Sequence, residues 1–405
     1  MAVGGVPAGE LAREHGTPLL VYCERTLLAA ARAYREAAPE ALLLYSVKAF
    51  PSLALLQLFA AEGFGADVST RGELEYALRA GIPGDRIVVH GNNKSDDELA
   101  AAAAAGARLV VLDALDEVER AAAAGVRRVL VRVTPGIEAD THEAIRTAQH
   151  GSKFGLPPDD ALRAVEAAQA AGLDIAGLHV HIGSQLLDTN AELETIDWLA
   201  AFAASAREEL GWEPAVVDLG GGLGVGHVEA EQPPPVQEFV SAFLERLRTT
   251  WPGSPPEVIL EPGRSLAGRA GLTLYRVGVV KRASEETTYV AVDGGMSDNP
   301  RPQLYDARYT ALLANRAGEP PAGTYAVCGK HCESGDVLID EVELPEPRRG
   351  DLLAVPGTGA YTLSMSSNYN VVPRPAAVLV NDGRARLIRR RETLDELFGQ
   401  DEASG

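Results

Sequence analysis

A lysine ends one of the most apolar runs of this chain. In "LLLYSVKAF" (residues 42–50), Lys48 closes a stretch that reads as a buried strand. Burying an ammonium costs several kcal/mol unless the group is paired or neutralised. Lys48 is therefore either a strand-end residue with its stem on the core and its tip in water, or a reactive amine held in a site, able to form a Schiff base. Three further stretches carry comparable chemistry. "DLGGGLGVG" (218–226) lets consecutive backbone N–H groups converge on an anion, or is a tight turn that needs positive φ. Its spacing is not that of a dinucleotide fingerprint. "EPGRS" (261–265) supplies an acid, Glu261, an N–H at Gly263 and a cation, Arg264. In "GLHVHIGSQ" (177–185), His179 and His181 lie two apart, which on a strand turns both to one side, as in barrel metallohydrolases. That reading needs ligands from other strand ends, and His90 is the one other histidine at such an end. A single histidine facing a flat ring, its neighbour packed in the wall, fits better, and no metal is expected.

The elements that must position these residues follow a rhythm. Strand-like runs begin at residues 42, 64, 87, 108 and 128, then at 175, 215 and 257, with helix candidates at 52–62, 71–80, 95–105, 158–171, 190–210 and 236–250. Such alternation indicates parallel strands with right-handed crossovers, and eight units close a (β/α)8 TIM barrel. An open doubly wound sheet is the competing arrangement. In a barrel the site gathers at the C-terminal strand ends. Read in order, these are Lys48, Asp67, Asn92, Asp113, Arg132 with Thr134, His181 with Ser184, the glycines 220–222, and Glu261 with Arg264. A lysine, an anion nest after strand seven, a ring-sized histidine and a carboxylate around one mouth meet the needs of pyridoxal 5′-phosphate. An acid beside its pyridine nitrogen keeps that nitrogen protonated. After residue 270 the pattern changes to strands and turns, a second and mostly antiparallel domain that the early run "TPLLVYCER" (17–25) could join. The expected division is 26–270 for the α/β barrel and 1–25 with 271–405 for the β domain.

Composition narrows the class. With 405 residues, 46% of them hydrophobic and 23% charged, the chain is long enough for two or three domains. A formal charge of −20 argues against nucleic-acid partners, although clustered arginines can still receive an acidic ligand. Three cysteines make no disulfide framework. The start "MAVGGVPAGELARE" lacks the features of a signal peptide, and no apolar span reaches membrane length. A cytoplasmic protein is expected.

The motifs "YSVKAF", "HVHIGSQ", "GGGLG", "EPGRS", "CESGD" and "GAYTLSMSSNYN" resemble the signatures of the diaminopimelate decarboxylases, within the alanine racemase-like, fold type III pyridoxal phosphate enzymes. "RVTPGIEADTHEAIRTAQHGSKFG" and "DGGMSDNPRPQLYDARY" are similar to further blocks of that family, and the likeness runs from about residue 17 to 380. It implies a cofactor-binding barrel, a C-terminal β domain and a homodimer with shared active sites. By position, Lys48 would carry the cofactor and His181 would stack on its ring. Gly222 and Glu261 to Arg264 would hold the phosphate and ring nitrogen, with Asp67, Ser184, Gly221, Gly263 and Tyr361 completing the cofactor set. Arg264, Arg301, Tyr305, Glu333 and Tyr361 fall at substrate positions. Cys332 falls at the proton-donor position, in a loop that serves the partner's site. From the residues alone, Arg301 in "DNPRPQ" reads rather as a solvated surface charge, and Cys332 reads also as a small buried residue. A zinc reading of "CGKHC" lacks a fourth ligand and the usual spacing.

The implied reaction is decarboxylation of meso-diaminopimelate to L-lysine. The alternatives are decarboxylation of ornithine, arginine or carboxynorspermidine, a catalytically dead regulatory homologue, and a metal-dependent hydrolase. Two arginines argue for a substrate with a distal carboxylate. Glu261 argues against a racemase, which places a cation near the ring nitrogen.

Overall fold

The computed structural model describes residues 1–137 and 151–402; most of the family-like block 132–155 lies outside the described residues. The chain divides into two compact units. One contains Leu28–Gly224 and Gln232–Ser265; the other contains Met1–Leu27, Val225–Glu231 and the chain from Leu266 on.

The first unit is a closed barrel of eight parallel strands. They are Leu42–Ser46, Gly65–Val68, Ile87–Val89, Leu109–Leu112, Arg128–Arg132, Asp174–His179, Val216–Asp218 and Glu257–Leu260. Glu257–Leu260 pairs back onto the first strand through Ile259 opposite Leu42, and this closure excludes the open-sheet alternative. Strands buried on both faces explain the near-continuous Val, Ile and Leu runs. Leu44, Val88, Leu109, Val111, Leu130, Ala176, Val216 and Ile259 form a core cluster of this barrel. The six helix candidates are all present, from Leu53–Ala61 to Val236–Thr250. Their starts have local causes. Thr70 accepts the N–H of Glu73 at 3.2 Å, and Ser95 with Glu98 forms a reciprocal capping box. The polyalanine stretch is the helix Asp96–Ala104, ended before Gly106 at φ 66°.

The second unit is built on a nine-stranded sheet, mostly antiparallel. The early strand Leu19–Cys23 lies inside it, antiparallel to Gly271–Arg282 and parallel to Ala376–Asn381. Two apolar clusters fill this unit, one around Leu19, Val21 and Val378, the other around Tyr275, Val290 and Leu353. No helix among the described residues is long and apolar enough to cross a membrane.

Candidate active site

The strand that leads to Lys48 stops two residues early. Leu42–Ser46 is extended, and Lys48 sits on the 3-10 turn Val47–Ala49, exposed between two buried neighbours. The expectation that the lysine ends the strand is corrected: a turn lifts its nitrogen out of the apolar wall, so the burial cost does not arise. The turn is placed by the neighbouring "EPGR" loop. Ser46 N–H donates to the Pro262 carbonyl at 3.2 Å. A Cβ at Gly263 would stand 3.0 Å from Ser46 Cβ and 3.2 Å from Ala49 Cβ, so glycine permits this close approach. Arg264 donates from Nε and Nη2 to Ser184 Oγ at 3.1 and 2.9 Å, tying this loop to the one after His181.

The glycine run has the backbone of a cradle. Gly220 and Gly222 have φ of 66° and 128°, a region L-residues rarely enter. A Cβ at Gly221 would stand 2.5 Å from the Glu261 carbonyl, and one at Gly222 would stand 2.7 Å from Leu186 Cδ1. The cradle is fixed at both ends: Gly220 N–H donates to Asp218 Oδ1 at 2.9 Å and its carbonyl accepts from Glu261 N–H at 2.7 Å, while the Gly222 carbonyl accepts from Leu186 N–H at 3.0 Å.

Glu261 lies in a buried cluster. His90 Nε2 donates to its Oε1 at 2.6 Å, and His179 Nε2 is 3.7 Å from its Oε2. Asp67 Oδ1 is 3.6 Å from His90 Nε2, and Ser46 Oγ donates to Asp67 Oδ2 at 2.5 Å. Burial alone would raise Glu261; the charge of His90 with its 2.6 Å hydrogen bond, helped by the nearby His179, outweighs it and holds the group well below its usual range. Burial and the Glu261 charge push Asp67 up, and the same two causes push Asp218 well up. Burial drives His179 down to about 3. The balance favours the charge on Glu261 over Asp67 and Asp218.

The two adjacent histidines part ways. The strand ends at His179, whose ring meets His90 edge-on at 4.8 Å. His181 turns toward Gly220, with its Nδ1 2.7 Å from the place a Cβ there would take. The two rings thus have different neighbours, and the strand that holds the first ends before the second. Burial first, then the positive charges of Lys48 and Arg132, hold His181 well below its usual range, so its ring is neutral. Ligand atoms of His90, His179, Asp218 and Glu261 lie within 4.8 Å of one another. Two ligands of one zinc ion stand roughly 3 Å apart; the 2.6 Å between His90 and Glu261 is a hydrogen bond.

In the other unit, Arg301 is buried, which removes the surface-charge reading. Its Nη1 donates to Tyr309 Oη at 2.6 Å and to His227 Nε2 at 3.0 Å, both uncharged acceptors in those roles. Cys332 and Glu333 are exposed, against the buried reading of Cys332. Cys332 N–H donates to Asn370 Oδ1 at 3.0 Å, and Tyr369 Oη donates to Glu333 at 3.4 Å. Tyr305 Oη donates to the Met365 sulfur at 3.9 Å. Tyr361 is half-buried, with a left-handed backbone at φ 58° that costs about 1 kcal/mol or more for a non-glycine residue.

The barrel residues fit pyridoxal 5′-phosphate. The cradle excludes any Cβ, Glu261 is anionic, His181 is a flat neutral ring and Lys48 has an accessible amine. A family model described as "Pyridoxal-dependent decarboxylase, pyridoxal binding domain" matches residues 24–268. This chain belongs to the pyridoxal-dependent decarboxylases. Among curated relatives, a Bacillus subtilis diaminopimelate decarboxylase is 41% identical over 99% of this chain and 95% of its own length. Among solved structures, the diaminopimelate decarboxylase of Helicobacter pylori complexed with L-lysine superposes with a TM-score of 0.89 and 32% identity, covering 97% of this chain and 98% of that one. That of M. jannaschii gives 0.90 and 33%, covering 98% and 94%.

Against this family pattern, sequence reasoning missed three buried groups. His90 was weighed only as a metal ligand, and Asp218 only as the start of the glycine run. Glu192 gave no signal beyond an acid on a helix. Its carboxylate oxygens are buried and have no hydrogen-bond partner among the described residues, and its Oε1 lies 3.3 Å from the Cβ position of Gly222. Burial, with Asp188 adding, raises it from 4.5 to about 8. A group neutral in the fold but ionised when unfolded loses stability as pH rises between those two values, by at most about 1.4 kcal/mol per pH unit. Glu192→Gln should therefore be more thermally stable than the parent at pH 7. Melting curves should show that advantage absent at pH 4, growing up to about pH 8, and level above it.

Proposed function

We propose that this pyridoxal-dependent decarboxylase acts on meso-diaminopimelate, releasing CO2 and L-lysine as the last step of lysine biosynthesis. The observation that carries the substrate is Arg301. Among the described residues, this buried guanidinium hydrogen-bonds a phenol and an imidazole and no carboxylate, the group such a cation ordinarily pairs with. Diaminopimelate brings one at its unreacted end, where a diamine or ornithine-like product brings none after reaction.

When bound, pyridoxal phosphate supplies an electron sink for the carbanion left by CO2. This chain's residues do the rest. Gly221, Gly222, Gly263, Arg264 and Ser184 would hold the phosphate through N–H, hydroxyl and guanidinium donors. By the family resemblance, Lys48 would tether the cofactor, His181 would pack its neutral ring against it, Glu261 would hold a proton on the ring nitrogen, and Asp67 and Tyr361 would belong to the cofactor set. The same resemblance assigns Arg264, Arg301, Tyr305, Tyr361 and Glu333 to the substrate and Cys332 to the return of the proton. The chain works as a homodimer in which the Cys332–Glu333 loop completes the partner's site. What supports this is the family resemblance together with the exposure of Cys332 and Glu333 beside the exposed apolar residues Tyr369 and Val371. Free thiols at Cys23, Cys328 and Cys332 suit a reducing cytoplasm.

CO2 release from a panel of meso-diaminopimelate, ornithine, arginine and carboxynorspermidine tests the substrate directly; turnover of ornithine but not diaminopimelate would reverse the choice. Lys48→Ala should abolish turnover and the borohydride-stable cofactor adduct, read by mass spectrometry. Arg301→Ala should weaken both meso-diaminopimelate and L-lysine by roughly 30-fold or more, since a desolvated charge pair broken from one side costs about 2–5 kcal/mol. Cadaverine, which has no carboxylate, should bind unchanged; equal weakening of all three would mean that Arg301 acts through the fold. Finally, Lys48→Ala mixed with Cys332→Ala, both inactive, should regain activity on subunit exchange. If verified heterodimers stay inactive, each site is built from one chain.

A further inference from the structure

Three carboxyl groups, Asp67, Asp218 and Glu261, share one buried pocket at the barrel mouth, the most exposed of them, Glu261, at 7%. Like charges so close, in a site of low dielectric, cannot all ionise; the pocket carries fewer negative charges than carboxyls. Which oxygen pair bears the charge decides whether Glu261 can hold a proton on a ring nitrogen. Resting on the function proposed above, we propose that His90 is the positioning residue that selects Glu261 as the charged member of this trio and fixes its orientation.

The geometry separates His90 from the other neighbours. Its Nε2 is 2.6 Å from Glu261 Oε1 but 3.6 Å from Asp67 Oδ1. Its N–H is thus spent on Glu261, and a hydrogen bond to a charged acceptor is worth more than one to a neutral acid. Asp67 has its own donor in Ser46 Oγ, and Asp218 has one in the Gly220 N–H. Those are neutral donors, which favour a carboxylate less than a histidine does. His179, more fully buried and at 3.7 Å, abuts both His90 and Glu261 and leaves the choice to the closer ring. Among the described residues, other charges facing the pocket include Arg132, from the fifth strand, Lys48, from the turn after the first, and Glu73, from the helix Arg71–Arg79, which interacts with Asp67 and His90. Burial of Asp67 and Asp218 pushes both toward the neutral form, in agreement with this assignment.

With His90 removed, the proton shared in the pocket moves onto Glu261, and the charge moves to a neighbour that does not serve the ring. The experiment compares His90→Leu, His90→Gln, Glu261→Gln and the double variant His90→Leu/Glu261→Gln, each loaded with pyridoxal phosphate. Readouts are the pH titration of the bound cofactor's visible absorbance and, separately, kcat and KM. His90→Leu should shift the midpoint of the absorbance titration by about one pH unit or more and lower kcat roughly 10- to 100-fold with little change in KM. His90→Gln, a donor without charge, should fall between. In the Glu261→Gln background the same leucine should add less than about threefold, because no carboxylate remains to select.

An absorbance titration in His90→Leu identical to wild type overturns the proposal. So does an equal loss from that substitution with and without Glu261, which would mark a merely structural role. Should His90→Leu not fold, His90→Gln carries the same test, and an unshifted titration there overturns it too. Failure of the substrate reading shows elsewhere: wild type would bind cofactor yet release no CO2 from meso-diaminopimelate, while the absorbance comparison still decides the role of His90.

Discussion

Keeping one carboxylate charged inside a protein is the constraint around which this barrel mouth is arranged. Desolvation works against Glu261, and so do two further acids in the same pocket. The charge survives because a histidine from the third strand reaches the end of the eighth, 171 residues away in sequence. Only a closed barrel brings those two ends into one mouth. The charge state of the site is therefore a consequence of topology.

A second constraint is space. The lysine turn, the "EPGR" loop and the glycine run approach one another so closely that side chains are excluded at Gly263 and Gly221, and Leu186 excludes one at Gly222. Bare backbone then faces inward, with its N–H groups available to an anion. The price is a site with little tolerance, and Glu192 illustrates it: an acid placed behind Gly222 finds no hydrogen-bond partner among the described residues and stays protonated to about pH 8. The second unit stores its own cost in the left-handed backbone at Tyr361 and in the buried cation at Arg301.

Much of this was legible beforehand. The barrel rhythm came from strands buried on both faces, which leave continuous apolar runs, and from helices with recognisable starts. Lys48, the glycines and Glu261 stood out because each residue type conflicts with its surroundings unless something is bound there. Less legible was anything that depended on where a strand stops. The strand ends at His179, a boundary no motif announces. Arg301 looked like a turn charge, since nothing local reveals that Tyr309 and His227 enclose it.

The sequence by itself determined the order of strands and helices, the residue types at the strand ends and the likeness to a decarboxylase family, because these rest on local periodicity and on motifs of a few residues. Tertiary structure alone decided which carboxyl is charged, which histidine stays neutral, and whether a lysine or an arginine is buried. Each of those depends on desolvation and on charges from strands far apart in the chain, and neither quantity exists until the barrel closes.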